Sequence, residues 1–312
     1  MKSKIAALIF FSCQLVAHET DNSMEPCDVP CCVPGPLYYT SCWCPIEVDF
    51  TLALDDFRSL PEGSWVNNWG AVAALNLRTF LPYCFTAQLA GSYGLYDWAG
   101  QASAPFANTK SLQQQGFITV AASRLTPDCS GFNAGVAYDW ELNKHFGIFV
   151  VNPFLSQIRA QFGYLFQGGN ELGFWGSYGI NTSDETSQEL PLKFRAVSQA
   201  NLFWCHYFKN NGYTMVWAGT PYRRGLMYES GRPGNYIFGL QFSAPMTCSL
   251  SIEGHGAYMG PRGGSGVTPS KNFAADLCIG ITYSFGKRRI QQSPYMTLAN
   301  NSNLIVDTNQ NF

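Results

Sequence analysis

The chain has 312 residues, a formal net charge of -2 and 13% charged residues, against roughly 25% in soluble domains. Aromatics reach 15% and mean hydropathy is only -0.07, which excludes a helical membrane protein: beyond the N-terminal segment no apolar run approaches the ~18 residues of a spanning helix. The basic residues, scattered except for Lys287, Arg288 and Arg289 near the end, give no argument for a nucleic-acid partner.

In chain order, Lys2 and Lys4 precede an apolar run from Ile5 to Phe11, and cleavage after Ala17 would make residues 1–17 a secretory signal. Cys13 follows Phe10, Phe11 and Ser12, a poor acylation signal, so plain export is the better reading. Residues 18–45 then carry Cys27, Cys31, Cys32, Cys42 and Cys44 among Pro30, Pro34, Pro36 and Pro45. The segment lacks paired CxxC units, and adjacent Cys31 and Cys32 do not fit a zinc ribbon. In an oxidising periplasm these cysteines are disulfide candidates. Their odd number leaves at least one thiol for a distant or intermolecular partner, such as another envelope protein.

From Ile46 the sequence alternates with period 2 almost to its end. Ile46, Val48, Phe50, Leu52 and Leu54 share one face, and Glu47, Asp49, Thr51, Ala53 and Asp55 the other. The stretch from Phe85 to Leu95 repeats the pattern, as do Phe132–Trp140, Ile158–Phe166, Leu172–Ile180 and Tyr236–Phe242. Short turns include Leu81-Pro82, Gln167–Asn170, Lys209–Gly212 and Ala244-Pro245. Longer loops fall near 56–65, 98–113, 142–154, 182–192, 220–233 and 260–272. Six long loops interleaved with five short turns predict about twelve strands over 46–285, with both ends on the short-turn side. The expected fold is therefore all-β, a transmembrane antiparallel β-barrel with short periplasmic turns and longer extracellular loops. A soluble β-sandwich also alternates, but strands near ten residues long, charge depletion and aromatics at strand ends (Trp69, Tyr83, Trp98, Trp140, Tyr164, Tyr258) favour the barrel. Partners implied are outer-membrane lipid and, through the last strand, the barrel assembly machinery. That strand, with Gly280, Tyr283 and Phe285, resembles the C-terminal assembly signal of outer-membrane proteins, although residues 286–312 follow it as a polar tail. The tail is expected to be periplasmic, docking inside the lumen or binding a periplasmic partner.

Alternation also assigns an inward face: Glu47, Asp49, Asp55, Asn76, Arg78, Gln88, Asn133, Asp139, Arg159, Gln161, Arg195, Gln199, Asn201, Gln241, Glu253, His255 and Asp276. Arg78, Arg159 and Arg195 would either line one wall of a pore opposite Glu47, Asp49, Asp139 and Asp276, or pair with acids as struts closing the lumen. The apolar segment His145–Phe154 would extend a strand above the membrane or, less favoured, fold inward.

Chemistry is harder to find. His255 and Glu253, with Ser249 and Ser251, share a face, but i, i+2 neighbours on one strand need not meet as a catalytic triad. A polar lumen cluster is the preferred reading. Asp97, Glu171, Asp184 and Glu185 lack calcium-loop spacing, and Gly263, Gly264 and Gly266 lack the strand–loop–helix context of a phosphate loop. No metal or cofactor is expected.

Four segments carry a resemblance: Gly91–Asp97, Tyr138–Trp140, Gly173–Gly176 and Leu304–Asn309. With the Cys-rich lead-in they resemble a poorly characterised family of outer-membrane barrels in chlamydia-like bacteria and planctomycetes, over about residues 46 to 309. That resemblance implies a barrel in the envelope and no particular substrate. The clustered cysteines are similar, in composition, to those of chlamydial major outer-membrane porins. The leading expectation is a passive outer-membrane pore for small solutes, without enzyme activity. The alternatives are a structural envelope barrel cross-linked through the N-terminal cysteines and, less favoured, a barrel lipid hydrolase using His255.

Overall fold

A computed structural model describes residues 46–62, 67–81, 85–97, 112–126, 130–209, 211–227, 231–261, 273–285 and 295–310. The expected signal and the Cys27, Cys31, Cys32, Cys42 and Cys44 cluster lie outside these residues, as do Tyr83, Trp98 and the Gly263–Gly266 loop. The alternating stretches form strands β1 (Ile46–Arg58), β2 (Asn68–Leu81), β3 (Phe85–Tyr96), β4 (Gln113–Arg124), β5 (Gly131–Lys144), β6 (Phe154–Phe166) and β7 (Asn170–Gly179). After β8 (Ser183–Ser187) and β9 (Leu190–Ala196) come β10 (Gln199–Tyr207), β11 (Tyr213–Pro221), β12 (Ile237–Pro245), β13 (Leu250–Met259), β14 (Ala274–Phe285) and β15 (Val306–Thr308).

Twelve of these close into an antiparallel barrel, β1 to β7 and β10 to β14, each beside its neighbours in sequence and β14 against β1. The closing seam runs from Val48 opposite Phe285 to Arg58 opposite Ala275. A closed ring leaves no strand edge unpaired, which is the condition for sheet structure in hydrocarbon. The period-2 pattern then sorts side chains by solvent. Leu52 (57% exposed), Leu202 (71%), Leu277, Ile279 and Ile281 point outward, whereas Asp49, Asp139, Gln161 and Asn201 on the other parity are buried. Packed aromatics mark both ends of this apolar belt. Phe132, Phe162, Tyr164 and Phe166 lie toward the rim where Ile46 and Phe285 start and end the barrel, with Tyr236, Phe238, Tyr258 and Phe273 toward the opposite one. A barrel with this belt belongs in the outer membrane, where the short-turn rim faces the periplasm. That short-turn rim is called near below, and the long-loop rim far. At the near rim, Tyr283 and Phe285 of the expected assembly signal face outward, edge to face at 5.2 Å, while Gly280 sits at the seam against Ala53.

Two far-rim loops depart from expectation. Residues 182–192, expected to be a loop, contain the β8–β9 hairpin, turned by Gln188 and Glu189 at φ 49° and 67°. That geometry suits a type I′ turn, but the usual Asn or Gly that signals it is missing. The His145–Phe154 segment does not extend a strand. β5 stops at Lys144, and His145, Gly147 and Val150 adopt positive φ (56°, 67° and 56°), folding the chain back so that Phe146 bridges Val151. Phe146, Ile148, Phe149 and Val151 are buried with Phe57, Tyr96, Leu192, Phe194, Leu304 and Val306 in one apolar cap. The inward alternative is the one the structure adopts, because four large apolar side chains gain more from that cluster than from solvent.

Candidate functional site: an occupied lumen

The inward parity brings together almost all the expected lumen residues, and pairs their charges across neighbouring strands. Arg78 Nη2 on β2 donates to Asp49 Oδ2 on β1 at 2.7 Å. Arg159 on β6 grips Asp139 on β5 with two bonds, Nε to Oδ2 at 2.5 Å and Nη2 to Oδ1 at 2.9 Å. Two-pronged pairing of this kind is what lets a guanidinium and a carboxylate share a buried site. Of the two arrangements open to these arginines, Arg78 and Arg159 are thus paired struts.

The lumen is not empty. Residues 295–310, part of the tail, run its length from the near rim to the far one. Tyr295 donates its hydroxyl to Glu171 on β7, which also accepts from Tyr207 at 2.8 Å. Higher up, Arg159 Nη2 donates to the Thr297 carbonyl at 2.6 Å, and the Ala299 amide to Thr119 Oγ1 at 2.9 Å. Asn301 Nδ2 donates to Asp55 at 3.3 Å and to Gln115 at 3.1 Å. The Asn303 carbonyl accepts from Gln157 at 3.3 Å and Gln199 at 3.1 Å. At the far rim β15 adds to the edge of β9, Val306 opposite Ala196 and Thr308 opposite Phe194, completing a three-stranded sheet with β8. Two glycines make room for this path. A Cβ on Gly135 would meet Met296 Cγ at 2.8 Å, and one on Gly163 would meet the Tyr295 hydroxyl at 2.6 Å.

The two walls of the lumen differ. Trp175, Phe203, Tyr213, Met215 and Trp217 give β7, β10 and β11 an aromatic inner face, against which Tyr295 packs. Between Met296 and that side a void of only about 20 Å³ remains. On the opposite side the tail stands off from β1, β2 and β14, leaving a cavity of about 160 Å³. Asp49, Asn76, Arg78, Gln88, Glu253, His255 and Cys278 line it, together with Leu298, Ala299 and Asn300. Among the described inward-facing residues between the rims, the carboxylates are Asp49, Asp55, Asp139, Glu141, Glu171, Glu253 and Asp276, and the arginines are Arg78 and Arg159. Glu47 lies opposite Arg78 at the near rim.

Several expected site residues are placed otherwise. Arg195 is not on a barrel wall: it stands on β9, outside the ring, with Nη2 at 3.9 Å from Asp307 Oδ2. Inward parity runs on from Arg195 to Gln199, but the strand breaks at Val197 and Ser198. Glu171 is a lumen residue at the near rim, remote from any rim cluster with Asp184 and Glu185 on β8. His255 Nε2 lies 3.5 Å from Asp276 Oδ2, and Ser251 donates instead to Glu253 at 3.3 Å, so the imagined Ser–His–Glu order is not the one present. Alternation did not single out Gln113, Gln115, Thr119, Gln157 and Glu141, all fully buried on the inner face. The same parity count finds them once it is extended to β4 and carried along β5 to Glu141 and β6 to Gln157.

Asp307 sits where the tail leaves the barrel, outside the spanning strands, and its carboxyl is perturbed. Burial raises its carboxyl to about 6, although the Leu226 amide (2.8 Å) and Arg195 work against that shift. Arg195 is itself lowered, by burial first and by Arg223 second. In both partners burial disfavours the charged form relative to water, because 3.9 Å is too loose a pairing to repay desolvation.

No curated protein matches the chain by sequence. Among solved structures it is similar to an outer membrane channel from Pseudomonas putida F1, at 12% identity and a TM-score of 0.50, over 80% of this chain and 99% of that one. It is also similar to outer membrane phospholipase A from Escherichia coli (6% identity, TM-score 0.42, 76% and 92% covered). A third likeness is to the translocator domain of the autotransporter NalP from Neisseria meningitidis (12%, 0.42, 92% and 98%). At these identities the likeness is one of fold. Residues 50–306, from the first strand through the lumen segment to Val306, match a family of unknown function, DUF6666, and the chain belongs to that family.

Proposed function

We propose that this protein is an outer-membrane channel for small polar solutes, narrowed by its own C-terminal tail and working without catalysis or a cofactor. One observation carries the reading. The lumen carries polar side chains along β1, β2 and β14, and the segment occupying it leaves a cavity of about 160 Å³ along that wall. The tail is held by apolar contacts at its two ends, Tyr295–Met296 and Leu304–Val306. Between those ends Leu298 and Ala299 also reach the apolar cap, and the remaining residues are held by hydrogen bonds. Such bonds exchange readily with water and contribute about 0.5–1.5 kcal/mol each. A segment anchored this way can shift where a solid core cannot.

Single-channel conductance in planar bilayers tests the proposal, comparing the intact protein with one lacking residues 295–312. The intact protein should give small steps and the shortened one much larger, longer ones. Silence from both, once each is shown to be folded and inserted, would overturn the channel and leave a structural envelope barrel in its place. The paired struts and filled lumen are what favour that second reading.

A further inference from the structure

On the lipid-facing side of β6, β7, β10 and β11 one level carries only small side chains: Ala160, Gly176, Ala200 and Thr220 stand side by side in register. One level nearer the near rim, Phe162, Phe174 and Leu202 stand out at 53%, 47% and 71% exposure. One level toward the far rim, Ile158 and Tyr178 do the same on β6 and β7. Between them runs a shallow trough, roughly 14 Å long by the usual strand spacing, at the far end of the ring where β10 begins. Two arginines are pinned beside it. Arg223 lies over the Tyr178 ring, 4.8 Å from its centroid, and donates from Nη1 to the Gly179 carbonyl at 2.7 Å. Exposed Arg232 donates from Nη1 to Thr220 Oγ1 at 3.2 Å, at the β11 end of the trough. Each is fixed through one nitrogen, and neither is ion-paired among the described residues, which leaves most of each five-donor fork unspent. Stacking on an aromatic ring orders a guanidinium at little entropic cost, and such a fork matches the oxygens of a phosphate two at a time.

We infer that this trough seats the phosphate-bearing head group of an outer-leaflet lipid, with Arg223 and Arg232 as the residues that grip it. Two features identify the occupant. The site is continuous with the apolar belt, at the depth where aromatic girdles meet lipid head groups, so its ligand is one already lying in the membrane. Ala160, Gly176 and Ala200 leave room against the sheet for the head group, and Phe162, Phe174 and Leu202 below offer apolar surface to its chains. Recognition here depends on directed donors rather than on any surplus of charge at the rim. It is independent of whether the barrel conducts.

The full-length protein in a non-ionic detergent is incubated with diphosphorylated lipid A, with the same lipid stripped of its phosphates, or with inorganic phosphate, and bound ligand is counted by native mass spectrometry. The phosphorylated lipid should be retained about tenfold or more better than the stripped one. Arg223→Gln combined with Arg232→Gln should lower its retention about tenfold or more. Arg124→Gln, which removes an exposed arginine at the opposite end of the barrel on β4, should leave it unchanged. Equal retention of the two lipids, equal retention by the double variant, or saturation by inorganic phosphate in place of the lipid would overturn the inference. Both arginines lie outside the hydrogen-bonded ring. Should the double variant nevertheless fail to fold, amide exchange in the unaltered protein decides: the phosphorylated lipid should slow it at Tyr222–Arg224 and the stripped lipid should not, and no slowing by either would overturn the site. Because the readout is binding, a barrel that is electrically silent in bilayers yet holds the lipid would refute the channel and retain the site.

Discussion

A carboxyl removed from water is either paired or protonated, and Asp307 is only partly paired. Its value is raised from 3.8 to about 6 where the tail is docked, and on undocking it returns to the ordinary value. A group whose docked value is raised contributes stability that is complete below the undocked value and is lost as pH rises through the docked one. Docking of β15 should therefore weaken by up to about tenfold per unit between pH 4 and 6, and level off above. Amide exchange at Val306–Thr308, corrected for its intrinsic pH dependence, would show that slope, and Asp307→Asn should abolish it. At this scale the sequence is informative on one question only. Period 2 tells which face Asp139 and Arg159 share, but not that they sit side by side in register. It is silent on Asp307 and Arg195, whose meeting depends on two segments more than a hundred residues apart.

Between residue and molecule stand the elements of the far rim. The β5–β6 loop, the β8–β9 hairpin and β15 share one apolar cap centred on Phe146, which is fully buried and edge-on to Phe194 at 6.2 Å between ring centroids. Replacing Phe146 by Ala should cost about 3–5 kcal/mol, lost locally because the loop that carries Phe146 lies outside the hydrogen-bonded ring. The expected result is a barrel that still resists heating in detergent on gels, with more frequent channel openings in bilayers. Unchanged opening would show that the cap does not restrain the tail. The barrel strands were readable because lipid and water impose one rule on every residue of a strand. The cap was not, since Phe146, Ile148, Phe149 and Val151 follow no period, and of the positive φ angles that turn the loop, at His145, Gly147 and Val150, the last falls on a β-branched residue that does not announce a turn. Nor does a three-residue strand such as β15 carry enough sequence to show a pattern.

For the molecule as a whole, strand number and the parity of loops and turns follow from local sequence, because an antiparallel ring built of sequential neighbours needs no long-range information except its closing seam. The occupied lumen does. A neutral polar stretch such as Thr297–Asn303 reads the same whether it hangs in the periplasm or fills a barrel, and its hydrogen-bond partners are spread over β1, β4, β6, β10 and β12. The aromatic inner face of β7, β10 and β11 is a sign of that occupancy: Trp175 and Trp217 would be wasted on a water-filled bore.

The seam has a consequence for how the molecule is made. It joins the first strand to the last, and the chain that continues beyond the last strand lies inside the loop so formed, like a belt buckled around its own loose end. Threading must come before buckling, or the free end must be drawn through afterwards, and either way that end has to be slim. A folded domain appended after residue 310 should therefore give barrels that close without their tail and conduct like the shortened protein. The same domain fused ahead of Ile46 should leave the intact behaviour unchanged.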